Sequence, residues 1–299
     1  MDDWTSALER IDADGLRRSL RSGGAGTEVE RGGRTLVNLA SNNYLGLASD
    51  PRVIAAAADA AQRFGVGSGA SRLITGNLGP HEELESALAA SRGTEAALVF
   101  SSGYAANLGV LSTVAGRHDL VFADALCHAS LLDGIRLSGA KLIRYRHNDL
   151  DQLARLMATR SVAGAGRAFI VSEGVFSMDA DVADLTGLAA IADRRGATLI
   201  VDDAHGGGIL GPDGRGTIAA FGLQRVVPVQ IGTLSKALGC QGGYVAGDRA
   251  LIDLLINRAR SFVFSTGLSP AVAAAARTAL AISQEESWRR DTLREHGRH

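Results

Sequence analysis

The chain has 299 residues, of which 46% are hydrophobic and 21% charged, and its formal net charge is −1. This near-neutral, globular composition gives no electrostatic reason to expect nucleic acid or an anionic membrane as a partner, so we expect small-molecule ligands. The two cysteines, Cys127 and Cys240, lack C-x-x-C spacing, which predicts a reducing compartment and no structural metal site. The first residues, MDDWTSALER, lack the pattern of a secretory signal, and we expect a soluble cytoplasmic protein.

Two helices with clear start signals are predicted after the N-terminal segment. Asp50 and Pro51 supply an N-cap and a proline at the first helical position, and VIAAAADAAQRF follows until Gly65. Gly79 and Pro80 begin HEELESALAASRG in the same manner. A later helical stretch, LSPAVAAAARTALAIS, is the most apolar in the chain but is too short to span a bilayer.

Short β-type runs follow the first two helices and alternate with helical segments. The runs are ALVF (97–100), DLVF (119–122), KLIRY (141–145), AFIVS (168–172), TLIVD (198–202) and VVPVQIG (226–232). Strands that alternate with helices predict an α/β fold with a mostly parallel, doubly wound sheet covered on both faces. The glycine-rich stretches fall at strand ends, where open α/β sheets bind their ligands.

Three familiar motifs are set aside. GVGSGA (65–70) matches the dinucleotide pattern G-x-G-x-x-G/A, but it follows a helix where that motif requires a strand. HGGG (205–208) looks like the oxyanion motif of lipases, but the chain contains no G-x-S-x-G nucleophile. A phosphate-binding P-loop of the form G-x-x-x-x-G-K-[ST] is also absent from the sequence.

One lysine lies in a stretch of small residues. Lys236 stands in IGTLSKALGCQGGYVAG (231–247), and Asp202 ends the preceding strand TLIVD. Pyridoxal phosphate chemistry needs such a pair, because the amine forms a Schiff base with the aldehyde while the carboxylate keeps the pyridine nitrogen protonated. The alternative is a capped strand end and an unrelated lysine, and these two residues alone do not decide between the two.

Other residues favour a site for a phosphorylated ring. Gly103 and Tyr104 lie at a strand-to-helix turn whose free N–H groups suit an anion, and the Thr233 hydroxyl can also bind phosphate. His128 follows a strand and can stack on an aromatic ring, although a histidine at a helix start is more often a cap.

Ser177 and His205 can both hydrogen-bond the phenolic oxygen of the cofactor and tune its reactivity. Each of these residues alone is weak support for a cofactor site.

A series of ordered motifs resembles the α-oxoamine synthases, which are fold-type I, pyridoxal-phosphate-dependent acyltransferases. The motifs are SNNYLGL, GSGASRLITG, FSSGYAAN, CHASLLDG, EGVFSMDAD, VDDAHGGGILGPDGRG, TLSKALG and FSTGLSP. The resemblance implies a large cofactor-binding domain at 46–267, preceded by a helix and strand segment at 1–45 and followed by a connecting helix at 268–299.

The resemblance also implies a role for each candidate residue. Lys236 would carry the pyridoxal phosphate, Asp202 would pair with its pyridine nitrogen, and His128 would stack on its ring. The other implied contacts are Ser177 and His205 to the phenolic oxygen, Gly103, Tyr104 and Thr233 to the phosphate, Asn42 and His128 to the substrate, and Ser265 and Thr266 to the cofactor phosphate of a neighbouring subunit. The last contact implies a homodimer with active sites at the interface.

The reaction implied by the resemblance is the decarboxylative condensation of an amino acid with an acyl thioester. The S-R-L pattern of GSGASRLITG favours the branch of biotin biosynthesis that joins L-alanine to pimeloyl-CoA or a pimeloyl-acyl-carrier protein. Arg17 matches the position where that branch binds the distal carboxylate, a task that suits arginine. Without the resemblance, Arg17 is better explained as part of a basic helix face with Arg18 and Arg21.

Three alternatives remain open, namely a glycine C-acetyltransferase type, a 5-aminolevulinate synthase type and a non-catalytic relative. Relatives also continue into a smaller C-terminal α/β domain, and we expect that domain to be missing after SWRRDTLREHGRH. With it would go the arginine that pairs with the substrate carboxylate. We therefore expect these 299 residues to bind cofactor but to turn over alanine poorly.

Overall fold

In the computed structural model, residues 3–20, 23, 26–160 and 166–298 are described, and the chain divides into two units, Met1–Ser41 and Asn42–His299. The first unit begins with helix α1 (Trp4–Ala13), which is capped by the side chain of Asp3. Strands β1 (Glu28–Arg31) and β2 (Arg34–Val37) then form an antiparallel hairpin. The predicted division after residue 267 stays a prediction.

The second unit is built on a seven-stranded sheet. Its strands are β3 (Ala96–Phe100), β4 (Leu120–Asp124), β5 (Lys141–Tyr145), β6 (Ala168–Glu173), β7 (Thr198–Asp202), β8 (Val229–Thr233) and β9 (Gly243–Gly247), in the spatial order β3-β9-β8-β7-β6-β4-β5. Neighbours from β8 to β5 run parallel, whereas β9 pairs antiparallel with both β3 and β8. The prediction of a mostly parallel, doubly wound sheet is confirmed.

Strand β9 is the one element of the sheet that the sequence patterns missed. Its sequence, GYVAG, is short and rich in glycine, which normally weakens a strand. The glycine at its start is required by a close approach, because a Cβ on Gly243 would lie 2.5 Å from the backbone of Gly103. A side chain at position 243 would therefore collide with the start of α4, which explains the glycine at this place in the strand.

Helices surround this sheet. Those of the second unit are α2 (Pro51–Phe64), α3 (Gly79–Arg92), α4 (Gly103–Val114), α5 (Ala129–Ser138), α6 (Leu150–Thr159), α7 (Leu185–Arg195), α8 (Thr217–Ala220), α9 (Arg249–Arg258), α10 (Arg260–Val263), α11 (Pro270–Glu285) and α12 (Ser287–His296). Helix α2 begins as the sequence predicts, with the Asp50 side chain accepting a hydrogen bond from the Arg52 N–H.

Both faces of the sheet are packed. Along β4, Val121 joins the hydrophobic cluster that includes Leu111 of α4, whereas the next residue, Phe122, joins the cluster that includes Leu153 of α6. All five residues of β4 are buried, as expected for a parallel strand covered on both sides. With the faces filled, the carboxyl ends of the strands are left as the place where a ligand can bind.

Over the residues that the structure describes, every helix is too short or too polar to cross a lipid bilayer.

Candidate active site

A cleft of about 200 Å³ opens at the carboxyl ends of β6, β7 and β8. It is lined by Ser102, Gly103, Tyr104, Asn107, His128, Ser130, Glu173, Asp202, Ala204, His205, Gly232, Thr233, Ser235 and Lys236. Seven of the residues predicted from the sequence are among them: Gly103, Tyr104, His128, Asp202, His205, Thr233 and Lys236. The parallel strands bring these distant positions together because their carboxyl ends share one edge of the sheet.

Lys236 lies just beyond β8 and is half-buried in the cleft. In the part of the chain that is described, its amine takes part in no hydrogen bond or ion pair. Burial lowers the pKa of this amine, and the charges of Asp202 and Glu173 oppose that change. The amine therefore loses its proton more readily than that of an exposed lysine and is a better nucleophile.

Asp202 ends β7 with its carboxylate 6% exposed. One oxygen, Oδ1, accepts the Ala204 N–H at 3.0 Å, and the other, Oδ2, accepts the side-chain amide of Asn107 at 2.7 Å. The carboxylate is thus held in one orientation at the floor of the cleft.

His128 is the N-cap of α5 and also lines the cleft. The cap is confirmed, and stacking on a cofactor ring stays a prediction. Its Nδ1 accepts the Ser130 N–H at 3.3 Å and lies 2.7 Å from the Ser130 hydroxyl oxygen. Its own backbone N–H donates to Glu173 Oε1 at 2.6 Å.

Glu173 is a cleft residue that the sequence analysis missed. It is the last residue of β6 and is 3% exposed. Burial, followed by the negative charge of Asp202, raises its pKa to about 8, although the hydrogen bond from the His128 N–H lowers it. The sequence feature that could have identified Glu173 as a site residue is its position at a strand end, one residue beyond the predicted strand AFIVS.

His205 also lines the cleft, and its pKa is lowered where that of Glu173 is raised. Burial, together with the positive charges of Lys236 and His128, lowers its pKa to about 4. Its Nδ1 lies 2.8 Å from the hydroxyl of Tyr44, which also contacts Asn42 Oδ1 at 3.2 Å. Asn42 therefore reaches the cleft residues through Tyr44, a contact that the sequence did not reveal.

The start of α4 lies beside Thr233 and has the free N–H groups that an anion could accept hydrogen bonds from. The first N–H groups of a helix have no partner within it, and those of Gly103 and Tyr104 make no hydrogen bond among the described residues. Thr233 Oγ1 lies 2.7 Å from Ser235 Oγ and contacts the Gly242 carbonyl oxygen at 2.9 Å. The Tyr104 phenol points elsewhere and donates to Asp133 at 2.5 Å.

Five predicted site residues are not lining residues of this cleft, and one of them, Asn42, contacts Tyr44 as described above. Ser177 is exposed in the turn after β6, and Arg17 belongs to the first unit, where it pairs with Asp12 at 2.8 Å. Ser265 and Thr266 line a separate small cavity together with Phe100.

A histidine and two aspartates outside the cleft have the composition of a metal site. These are His147, Asp179 and Asp181. However, Nδ1 of His147 already bonds Asp124 at 2.9 Å and Nε2 bonds Asp181 at 2.8 Å. Burial opposes protonation of His147, but these two carboxylates outweigh it and raise its pKa. Both ring nitrogens are thus already engaged, and the group is explained as a structural hydrogen-bonded cluster.

Comparison with known proteins agrees with this geometry. The family model for aminotransferase class I and II matches residues 34–299. The 8-amino-7-oxononanoate synthase of Anaeromyxobacter sp. (strain K) is 56% identical over 294 residues, which cover 97% of this chain and 73% of that protein. The enzyme of the same name from Geobacter sulfurreducens is 54% identical and is covered to 70%, with 91% of this chain aligned.

Solved structures with the same fold include two kinds of enzyme. The serine palmitoyltransferase of Sphingomonas wittichii aligns with a TM-score of 0.90 at 35% identity, covering 97% of this chain and 73% of that one. The 8-amino-7-oxononanoate synthase of Francisella tularensis aligns with a TM-score of 0.73 at 34% identity, covering 86% of this chain and 71% of that one.

Proposed function

Because the chain belongs to the aminotransferase class I and II family, we propose that it is a pyridoxal-phosphate-dependent acyltransferase that joins L-alanine to a pimeloyl thioester. The products are 8-amino-7-oxononanoate, carbon dioxide and the free thiol carrier, and the step belongs to biotin biosynthesis. The curated relatives named 8-amino-7-oxononanoate synthase, at 51% to 56% identity, support this choice. The observation that carries the proposal is the Lys236 amine, which is half-buried without a partner among the described residues, in the same cleft as Asp202.

The residues of the cleft fit pyridoxal phosphate. That cofactor needs an amine for its aldehyde, a carboxylate for its pyridine nitrogen and an anion site for its phosphate. Lys236 offers the amine, Asp202 the carboxylate, and the start of α4 with Thr233 the anion site. A side chain in place of Gly243 would push that helix start away, which supports the need for a close approach there.

Lys236 has two tasks in this proposal. Its amine would hold the cofactor through the aldehyde carbon, and the same amine, when free, would accept the proton from the substrate Cα. Because burial lowers its pKa, the neutral and basic form of the amine is accessible. When bound, pyridoxal phosphate supplies the electron sink that stabilises negative charge on Cα.

Asp202 and His128 would both contact the ring of the cofactor. The Asp202 carboxylate would keep a proton on the pyridine nitrogen, and its two hydrogen bonds from Ala204 and Asn107 fix its direction beforehand. His128 would contribute its imidazole to holding the ring and to binding the incoming acyl thioester. Glu173, with a pKa of about 8, supplies a mostly neutral carboxyl beside them.

The remaining assignments rest on the family resemblance. His205 lines the cleft and, with Ser177, would contact the phenolic oxygen of the cofactor. Asn42, joined to His205 through Tyr44, would contact the amino-acid portion. Arg17 would bind the distal carboxylate of the pimeloyl chain. The cytoplasmic location inferred from composition is likewise kept as a proposal.

We also propose a homodimer in which Ser265 and Thr266 contribute to the partner subunit's cleft. A β-bridge between Ser71 and Thr266 ties their segment to the loop after α2. Large apolar side chains are exposed on these two segments, with Ile74 76% and Phe264 73% exposed. An apolar surface next to residues that lack a role in their own cleft supports an interface there.

A second candidate function is favoured by the structural neighbours. The serine palmitoyltransferase of Sphingomonas wittichii superposes with a higher TM-score than the Francisella tularensis synthase. The cofactor residues do not separate these activities, so the acyl and amino-acid partners of this chain must be tested directly.

A substrate panel tests the proposal. Alanine, glycine and serine are each combined with pimeloyl, acetyl, succinyl and palmitoyl thioesters, and thiol release is measured. Although we expect low turnover from these 299 residues, the proposal predicts that alanine with the pimeloyl thioester gives the highest kcat/KM of the panel. A preference for serine with palmitoyl thioester, or for glycine with succinyl thioester, would move the chain to another branch of the family.

A further inference from the structure

A line of hydrogen bonds joins Asp202 to His128 through two buried side chains. The amide nitrogen of Asn107 lies 2.7 Å from Asp202 Oδ2 and 2.8 Å from the Ser130 hydroxyl oxygen. That hydroxyl oxygen lies 2.7 Å from His128 Nδ1. Asn107 on α4 is 2% exposed and Ser130 on α5 is fully buried, so water does not compete for these bonds.

The chemistry of the groups sets the direction of every bond in this line. An ionised carboxylate only accepts hydrogen bonds, so Asn107 must turn its NH₂ group and not its oxygen toward Asp202. The second hydrogen of that NH₂ group then points to the hydroxyl oxygen of Ser130. Having accepted there, the Ser130 hydroxyl keeps its own hydrogen for His128 Nδ1.

The backbone provides an independent constraint on His128. The Ser130 N–H points at His128 Nδ1 at 3.3 Å, and a backbone N–H can only donate. Nδ1 thus faces two donors from one residue and must present its lone pair to them. The proton of the neutral imidazole is left to Nε2, which makes no hydrogen bond among the described residues.

We propose that Asn107 and Ser130 are positioning residues that fix His128 as the tautomer with its proton on Nε2, with Asp202 held by the same amide. The cleft then contains His128 Nε2 as a hydrogen-bond donor and the Asp202 carboxylate as an acceptor. The buried side chain of Asn107 fixes the positions of these two groups relative to each other. This inference rests on the proposed function in one respect, because the acceptor we assign to Nε2–H is the thioester oxygen that gains negative charge during acylation.

Helix packing alone does not explain the asparagine. Helices α4 and α5 approach closely, and a Cβ on Gly134 would lie 2.9 Å from Leu111 Cβ. Within that contact the Oδ1 of Asn107 is buried without a hydrogen-bond partner among the described residues, which is unfavourable. An apolar side chain would fill the space without that penalty, so the two donors of the amide are its contribution.

The tautomer can be observed without any turnover. The 299-residue chain, labelled with ¹⁵N-histidine, is studied by long-range ¹H–¹⁵N correlation NMR at a pH of about 8, where an ordinary histidine is neutral. The signals of His128, one of seven histidines, are assigned by their loss in His128→Gln. We expect a protonated Nε2 and an unprotonated Nδ1. A protonated Nδ1, alone or together with Nε2, would overturn the proposal.

Variants separate positioning from general structure. Ser130→Ala leaves Nδ1 with only the 3.3 Å backbone donor, and we expect a measurable population protonated on Nδ1. Ser130→Thr keeps the hydroxyl and should restore the original spectrum. Ser138→Ala, which removes a hydroxyl from the same helix, should change nothing at His128. An unchanged tautomer in Ser130→Ala would contradict the assigned role.

A second experiment tests Asn107 by a different measurement, the affinity for pyridoxal phosphate. Asn107→Leu removes the donor to Asp202, and we expect pyridoxal phosphate to bind about tenfold more weakly, as measured by equilibrium dialysis. Asn257→Leu at the end of α9 serves as the control. Unchanged affinity would remove Asn107 from the proposal. If the unmodified chain bound no pyridoxal phosphate, the proposed function would fail, whereas the NMR result for His128 would still stand.

Discussion

Two adjacent carboxylates at the end of β7 have opposite surroundings. Asp202 lies in the cleft, near the amine of Lys236, and is oriented by Asn107. Asp203, 1% exposed, forms an ion pair with Arg92 at 2.9 Å and accepts the Thr217 N–H. Successive residues of a strand point to opposite faces, so one strand end serves a reactive cleft on one side and a structural network on the other.

The network around Asp203 is built for rigidity. Arg92 is 7% exposed and donates from Nε to the hydroxyl of buried Tyr244 at 2.7 Å and from Nη1 to Asp203 Oδ2 at 2.9 Å. A Cβ on Gly216 would lie 1.9 Å from Asp203 Oδ2, so the chain passes the ion pair with no room for a side chain. In the cleft, by contrast, the Lys236 amine has no partner among the described residues. Groups that are fully paired stabilise the fold, and a group without a partner is free for chemistry.

The largest effect is expected at Lys236. Lys236→Ala should abolish turnover, because both the cofactor-binding amine and the base are lost. The free energy of unfolding should change little, since the amine makes no bond to the rest of the described chain. Turnover and chemical denaturation are measured on the same preparation. A large loss of stability would mean that Lys236 has a structural role, and it would contradict the distinction between the cleft and the network around Asp203.

Asp202→Asn should come next in effect on the reaction. An amide cannot hold a proton on the pyridine nitrogen, and we expect a rise in the activation barrier on the order of several kcal/mol, from lost preorganised electrostatics. The quantity measured is kcat for alanine relative to the unmodified chain. A near-normal rate would mean that another carboxyl, such as Glu173, performs this task.

Asp203→Asn makes the same chemical change one residue later, but it should lower stability and leave kcat nearly unchanged. It leaves the Arg92 charge buried without its partner, and we expect the free energy of unfolding to fall by about 3–5 kcal/mol. Enzyme that remains folded should retain its kcat within a small factor. Urea titration with a kinetic assay of the folded fraction checks both values, and an unchanged stability would contradict the assignment of Asp203 to the framework.

The remaining expected effect is a pH dependence of stability that belongs to Glu173. Burial and the charge of Asp202 raise its pKa from the ordinary value of 4.5 to about 8, so between these values the folded chain holds a proton that the unfolded chain has released. Stability from this group is therefore lost as pH rises through that window. The difference in unfolding free energy between the unmodified chain and Glu173→Gln should decrease up to about pH 8 and then level off. A constant difference would show that Glu173 titrates normally.

The comparison also shows which parts of the molecule a sequence can reveal. Six strands of the main sheet and the starts of α2 and α3 follow from local patterns, because hydrophobic runs and capping residues act within a few positions. Strand β9 does not, since Gly243 is explained by the approach of Gly103, and Gly247 by that of Pro228 and Leu251.

The candidate site also contains residues that local sequence patterns reveal and residues that they do not. Lys236 and Asp202 are visible as residue types in suitable local contexts. Asn107 and Tyr44 are not, because their partners, Asp202 and His205, lie far away in the sequence. The proposed roles of Ser265 and Thr266 would depend on a second subunit, so they rest on the family resemblance and not on contacts within one chain.

The central claim is that Lys236 carries the cofactor, and sodium borohydride reduction tests it most directly. The chain has one other lysine, Lys141, an exposed residue at the amino end of β5, on the edge of the sheet opposite the cleft. The chain is incubated with pyridoxal phosphate, reduced and digested, and the peptides are mapped by mass spectrometry. We predict a pyridoxyl adduct on the peptide that contains Lys236 and none on the peptide that contains Lys141. An adduct on Lys141 alone, or on neither lysine, would contradict the claim.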